Sequence, residues 1–159
     1  MTTDLKELVE KLIEKKCTIS TMESCTGGSM ANAITSVEGS SNVFKYGAVT
    51  YSNEYKIKMG VSKAIIDKYS VYSKEVAQEM SKNISLFTLS DYGIGITGKL
   101  NKEDKNNPFG DDNIVFISIY NRRKNEFYNY KFIASCDTRS ENKDSVVNFL
   151  TNELLKILG

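Results

Sequence analysis

Thr18-Ile19-Ser20-Thr21-Met22-Glu23-Ser24-Cys25-Thr26-Gly27-Gly28 joins a β-prone run to a Ser-Cys-Thr-Gly-Gly turn, after which a helical pattern begins. The run Thr18–Met22 reads as a strand. Ser29–Val37 reads as a helix with Met30, Ala33, Ile34 and Val37 on one face. A strand-turn-helix unit of this kind belongs to α/β layering. The turn offers a hydroxyl, and beside it a thiol, at the mouth of a helix N-terminus, where N–H groups are unpaired and negative charge is favoured. Such a turn can carry a nucleophile next to donors for an oxyanion. The chain has no histidine, so a Ser-His-Asp triad and a Cys-His pair are both excluded. If Ser24 attacks a substrate, its base is a lysine, a carboxylate, a tyrosine or a water. The bland alternative is a tight connection, with Gly27 and Gly28 giving backbone freedom and Thr26 capping the helix.

Outward from this unit the pattern alternates. Leu5, Leu8, Val9, Leu12 and Ile13 follow the spacing of an amphipathic helix. Val43–Tyr51 predicts a strand, followed by helical turns at Asn53–Met59 and Lys63–Tyr69. Ser73 is a good N-cap for a helix marked by Val76, Ala77, Met80, Ile84 and Phe87. Tyr92–Thr97 predicts a strand, in which Gly93 and Gly95 allow close backbone approach. Lys99–Asp112 is polar, holds Pro108, and reads as a long loop. Ile114–Tyr120 and Glu126–Ile133 form a hairpin, and Asp144–Leu158 closes as a helix. The expected fold is one α/β domain over residues 1–159, layered α/β/α, with a mixed sheet and a C-terminal hairpin plus helix.

Composition narrows the function. At 159 residues the chain buries a sizeable core without a staple. Lys+Arg of 21 against Asp+Glu of 20 leaves a net charge of +1, which argues against a dedicated nucleic-acid binder. No apolar run approaches the roughly 18 residues of a membrane span, and Met1–Glu7 lacks a signal core. A cytoplasmic protein is expected. Cys17, Cys25 and Cys136 are too widely spaced for zinc or a thioredoxin-like motif and read as reduced thiols.

Tyr51-Ser52-Asn53-Glu54-Tyr55-Lys56 places a phenol, an amide, a carboxylate and an amine at a strand's carboxyl end, where α/β sheets gather ligands. Lys56 activates Ser24 if burial lowers its pKa toward neutrality. Taken alone, a lysine on a helical turn reads as solvated. Arg122-Arg123-Lys124 reads as a solvated hairpin tip rather than a phosphate site. Asp111-Asp112 lacks a third ligand for a metal. Gly93-x-Gly95-x-x-Gly98 matches dinucleotide-fingerprint spacing, but no helix pattern follows it.

Four segments occur in a particular order. They are Met22–Gly28, Glu38-Gly39-Ser40-Ser41, Tyr46–Lys56 and Val71–Ala77. Together they resemble the CinA C-terminal domain family, the nicotinamide-nucleotide amidases, in its stand-alone form. The resemblance runs from the first helix to about Gly98 and more loosely beyond. It implies hydrolysis of the carboxamide of nicotinamide mononucleotide to nicotinic acid mononucleotide and ammonia. It places the family's serine on Ser24, its lysine on Lys56 and its tyrosine on Tyr51. Ser24 would attack the amide carbon, Lys56 would take its proton, and Tyr51 would orient or relay. Thr26, Gly27, Gly28 and Gly98 are the expected substrate contacts, with N–H groups near Thr26 and Gly27 holding the oxyanion. The expected partner is a small-molecule substrate, with no metal, no other cofactor, no nucleic acid and no membrane; a homo-oligomer is left open.

One segment departs from the family pattern. Where the family has a Gly-rich stretch, this chain reads Gly98-Lys99-Leu100-Asn101-Lys102-Glu103-Asp104-Lys105-Asn106-Asn107-Pro108-Phe109-Gly110, and Arg139 with Lys143 only partly match its late basic pair. A glycine-poor loop approaches a ligand less closely, so a mobile or displaced loop and reduced substrate binding are expected. Two other readings stay open. One is a Ser-Lys amidase for another small amide. The other is a non-catalytic ligand-binding domain on the same fold.

Overall fold

The computed structural model describes residues 2–101 and 112–159. The elements are α1 (Thr2–Glu14), β1 (Ile19–Glu23), α2 (Ser29–Thr35), a 3-10 turn (Ser40–Asn42), β2 (Phe44–Val49), α3 (Asn53–Lys58), α4 (Lys63–Tyr69), α5 (Lys74–Thr88), β3 (Tyr92–Gly98), β4 (Ile114–Asn121), β5 (Glu126–Ile133) and α6 (Arg139–Leu158). The sheet order is β2-β1-β3-β4-β5. β1 runs parallel to both β2 and β3, while β4 runs antiparallel to both β3 and β5. This is the layered α/β fold with a mixed sheet and a closing hairpin and helix that the sequence predicts.

Strand periodicity assigns the faces. In β3 the large side chains Tyr92, Ile94 and Ile96 join a core built with α1, α2 and α6, which includes Leu8, Leu12, Val146, Leu150 and Leu154. The alternate residues, Gly93 and Gly95, meet α5. A Cβ on Gly93 would stand 2.1 Å from the Ser81 carbonyl oxygen, and one on Gly95 2.3 Å from that of Ala77. The Gly93-x-Gly95 spacing therefore serves helix-on-sheet packing, not a nucleotide. Met22, Val61, Ile66, Val76, Met80 and Ile84 fill the second core.

The boundaries shift in places. α6 starts at Arg139, five positions before the predicted Asp144, because Thr138 caps it: Thr138 Oγ1 accepts from Glu141 N at 3.1 Å and donates to Glu141 Oε1 at 2.8 Å. α2 ends at Thr35 rather than Val37. Arg122 and Arg123 are not simply solvated, since they tie the hairpin to the start of β3. Arg123 Nε donates to Asp91 Oδ1 at 2.8 Å and Arg122 Nε to the Ser90 carbonyl at 3.0 Å.

β1 lies at the point where the connections part. Its outgoing crossover uses α2 on one face, and the chain returns to β3 through α5 on the other. Chain connections leaving a strand's carboxyl end toward opposite faces open a crevice there, the usual ligand position in α/β sheets.

Candidate active site

Two ladder extensions fix the backbone at this crevice. Ser24 N–H donates to the Ile96 carbonyl at 3.1 Å, one residue beyond β1, and Thr50 N–H to the Glu23 carbonyl at 2.8 Å, one beyond β2. Ser52 then caps α3, its side chain accepting from Tyr55 N. That helix returns Lys56 over the end of the strand. Lys56 is 2 % exposed, and its ammonium donates to Ser24 Oγ at 3.0 Å and to the Thr50 carbonyl at 2.7 Å. The solvated reading of Lys56 fails because the short cap and the β2 terminus aim the side chain inward. Ser24 is itself 7 % exposed, so its hydroxyl is sheltered rather than displayed.

The helix mouth differs from expectation. The N-cap of α2 is Gly28, at φ 96°, and no side chain of its own caps the helix. The fully buried Glu23 carboxylate takes that place from the preceding strand. It accepts from Met30 N at 2.9 Å, Ala31 N at 3.0 Å and Thr26 Oγ1 at 2.6 Å. A carboxylate at a helix start satisfies orphan donors and complements the dipole. Thr26 therefore braces Glu23 and does not cap α2. The Gly27 N–H is also engaged, donating to the Ser24 carbonyl at 2.9 Å. Cys25 and Gly28, both part exposed, keep N–H groups without a backbone acceptor among the described residues.

The remaining predicted residues sit as follows. Tyr51 is 65 % exposed and makes no hydrogen bond with Ser24 or Lys56. Gly98 is a packing glycine: a Cβ there would come 2.5 Å from the Ile114 carbonyl oxygen. Although Cys25 keeps some surface, its thiol is enclosed, and burial pushes it up to about 12, with the nearby Lys56 charge opposing only in part. A thiol so raised is not a thiolate near neutral pH. Lys143 of α6, half-buried, brings Nζ to 3.3 Å from where a Cβ on Gly27 would stand.

Of the departing segment, Lys99, Leu100 and Asn101 are described and residues 102–111 lie outside the described residues, so the expected loop displacement and Asp111 fall there. The described stem is tied down. Arg139 Nε donates to the Leu100 carbonyl at 2.8 Å, Asn101 N–H to Asn113 Oδ1 at 2.9 Å, and Asn142 Nδ2 to Asn101 Oδ1 at 2.7 Å. Lys99 is buried and places Nζ 5.2 Å from the centroid of the Tyr72 ring.

The family model for the CinA C-terminal domain matches residues 2–158. The chain belongs to the CinA C-terminal domain family. A CinA-like protein of Flavobacterium psychrophilum is 47% identical over 111 residues, covering 68% of this chain and 26% of that protein. One from Endomicrobium trichonymphae is 35% identical over 148 residues, covering 91% of this chain and 34% of that protein. The chain thus spans about a quarter to a third of the curated relatives it matches. Among solved structures, a competence or damage-inducible protein from Enterobacter asburiae superposes with a TM-score of 0.91 at 25% identity, covering 99% of this chain and 98% of its own. A CinA superfamily protein from Escherichia coli does so at 0.87 and 26%, covering 98% and 91%. The CinA-type fold thus holds through both halves of the sheet, including the hairpin and α6, where the sequence resemblance is loosest. No helix among the described residues is long and apolar enough to cross a membrane.

Glu23 is the residue that sequence reasoning left without a role. A buried acid six residues before the first residue of α2 carries no standard capping signature, because conventional caps sit within the helix's own first turn. The available signal was its position as the last residue of a strand whose other residues are all suited to burial.

Proposed function

We propose that this CinA-type domain is an amidohydrolase acting on the carboxamide of nicotinamide mononucleotide, with Ser24 as nucleophile and Lys56 as base. The observation that carries the reading is the 3.0 Å contact between a buried lysine amine and a serine hydroxyl in a chain without histidine. As a neutral amine, Lys56 donates one N–H to the Thr50 carbonyl and turns its lone pair to the Ser24 hydroxyl. Burial favours that neutral form, since desolvation penalises the ammonium.

Ser24 Oγ attacks the carboxamide carbon as its proton passes to Lys56 Nζ. The tetrahedral oxyanion is met by the N–H groups of Cys25 and Gly28, part-exposed residues of the turn whose N–H groups have no backbone acceptor among the described residues. Collapse breaks the C–N bond. Lys56 returns the proton to the leaving nitrogen, ammonia departs, and an ester on Ser24 remains. A water then gives its proton to Lys56 and attacks the ester carbon. Nicotinic acid mononucleotide leaves as Ser24 recovers its hydrogen. Tyr51, exposed and one residue after Thr50, orients the bound substrate rather than relaying a proton between Ser24 and Lys56. Lys143 is the cation placed to meet the substrate's phosphate.

A Ser-Lys amidase for a different small amide is the second reading. The buried Lys99 supports it, standing directly after Gly98 where the family pattern becomes Gly-rich. Ammonia release from nicotinamide mononucleotide by purified protein tests the first reading. Release is expected from the unmodified chain and from Cys25→Ala, and not from Ser24→Ala. Activity in Ser24→Ala with loss in Cys25→Ala would overturn the nucleophile. Silence on this substrate, with Ser24-dependent release from another amide, would favour the second reading.

A further inference from the structure

At the end of the sheet opposite Ser24, a cavity of about 330 Å³ opens where α1 runs into β1, β3 begins, β4 turns into the hairpin and α6 ends. Its apolar wall comes from Cys17, the Tyr92 ring, Ile157 and Leu158, and its rim carries Lys15, Arg123 and Lys124. No carboxylate among the described residues lines it. The volume falls within the range of small-molecule sites, which pair apolar walls with a few placed polar groups. Seven residues of chain from Cys17 to Ser24, most of them in extended strand, put it roughly 20 Å from the proposed nucleophile.

The polar groups offered to this cavity are donors. Asn121 is 6 % exposed, and its Oδ1 accepts from Lys124 N at 3.3 Å. That bond fixes the amide orientation and leaves Nδ2 without a partner among the described residues. Nδ2 is also not among the sealed, orphaned side-chain atoms, so it keeps some accessible surface, and Asn121 lines the cavity. Tyr92, 9 % exposed, likewise keeps a hydroxyl with no hydrogen-bond partner among the described residues. Burial raises both the Cys17 thiol and the Tyr92 phenol above their ordinary values, so the wall is neutral. Arg123 is held in position by Asp91 and by the Lys16 carbonyl. The exposed Lys15 and Lys124 have no ion-pair partner among the described residues.

We propose that this cavity is a second binding site, for a small organic anion whose charge is carried on an aromatic or aliphatic body. The anionic group meets Asn121 Nδ2 and the Lys15, Arg123 and Lys124 cations, and the body covers the Tyr92, Ile157 and Leu158 wall. Neither half suffices alone: surface lysines hold a bare anion weakly in salt, and the wall is too small to hold a neutral hydrocarbon tightly.

The test is a titration of the ¹⁵N-labelled chain with phenyl phosphate, followed by amide shifts. A saturable shift of the Asn121 side-chain amide and of Arg123 and Leu158 is expected, unchanged in Ser24→Ala. K15E/K124E should bind about tenfold more weakly or worse, as two charge reversals at a partly solvated rim predict. Asn121→Asp keeps the acceptor for Lys124 N but turns a carboxylate oxygen on the ligand, and should abolish the shift while the spectrum stays dispersed. Three results would overturn the proposal. The shifts could be confined to the Ser24–Gly28 turn. K15E/K124E and Asn121→Asp could bind as the parent does. Inorganic phosphate or benzyl alcohol alone could bind equally well.

Discussion

A lysine has to be carried out of water before it can act as a base near neutral pH, and Lys56 is 2 % exposed. Its neighbours are an acceptor carbonyl and the hydroxyl it is proposed to deprotonate. The acylation rate should rise with pH along a limb that reports Lys56, and Lys56→Met, of similar length and apolar, should lose that limb together with roughly 10³-fold or more of the rate. A Lys56→Met variant with the parent's pH profile would remove the lysine from the reaction. Glu23 makes the complementary prediction. Glu23→Ala strands the N–H groups of Met30 and Ala31 and the Thr26 hydroxyl, and should destabilise the fold by about 2–4 kcal/mol in urea unfolding. The residues that could be read from sequence were those whose chemistry is intrinsic: a serine on a glycine turn, and an amine and a phenol after a strand. Glu23 was illegible because its partners are main-chain groups of the α2 start and the Thr26 hydroxyl, brought to it by the turn and not by any local spacing signature.

At the scale of elements, the strong periodic signals held. α1, α5, the hairpin and the alternation in β3 stand where the spacing puts them, because each buries one face against a single layer. The start of α6 did not follow apolar periodicity, since its first turn is polar and is set by the Thr138 side-chain cap on Glu141 N. Thr138→Ala should cost about 1 kcal/mol of stability and fray the first turn, which also carries Arg139 and its bond to the Leu100 carbonyl. Amide exchange over 139–143 would show it, and unchanged protection there would contradict the cap. Gly95 makes a sharper test of the α5–β3 contact. A Cβ there meets Ala77 O at 2.3 Å and Ser81 N at 2.6 Å, both main chain. Gly95→Ala should therefore destabilise by about 3 kcal/mol or more, as overpacking against an unyielding backbone does. A variant as stable as the parent would show that α5 can move away.

Over the whole molecule, several buried or half-buried acids keep their protons in the fold. Burial pushes the Cys25 thiol and the Tyr130 phenol up to about 12, and raises Cys17 and Tyr92 as well. In the unfolded chain these groups ionise from their ordinary values of 9.0 and 10.0 upward. Between about pH 9 and 12 the folded state holds more protons than the unfolded one, so stability falls as pH rises through that window. Urea midpoints should drop from about pH 8 to about pH 10.5, and Cys25→Ala should flatten the fall. The sheet order was not legible beyond its class, because pairing depends on which face each crossover takes and not on any single segment. That order is nonetheless what places Ser24 and Lys56 together, at the carboxyl ends of neighbouring parallel strands.

The central claim, that Ser24 carries the acyl group with Lys56 as its base, is tested most directly by rapid acid quench of the enzyme with nicotinamide mononucleotide and mass analysis of its peptides. The account predicts an ester on the peptide holding Ser24, located on the serine, present in Cys25→Ala and absent in Ser24→Ala. An adduct on Cys25, or turnover in Ser24→Ala, would contradict it.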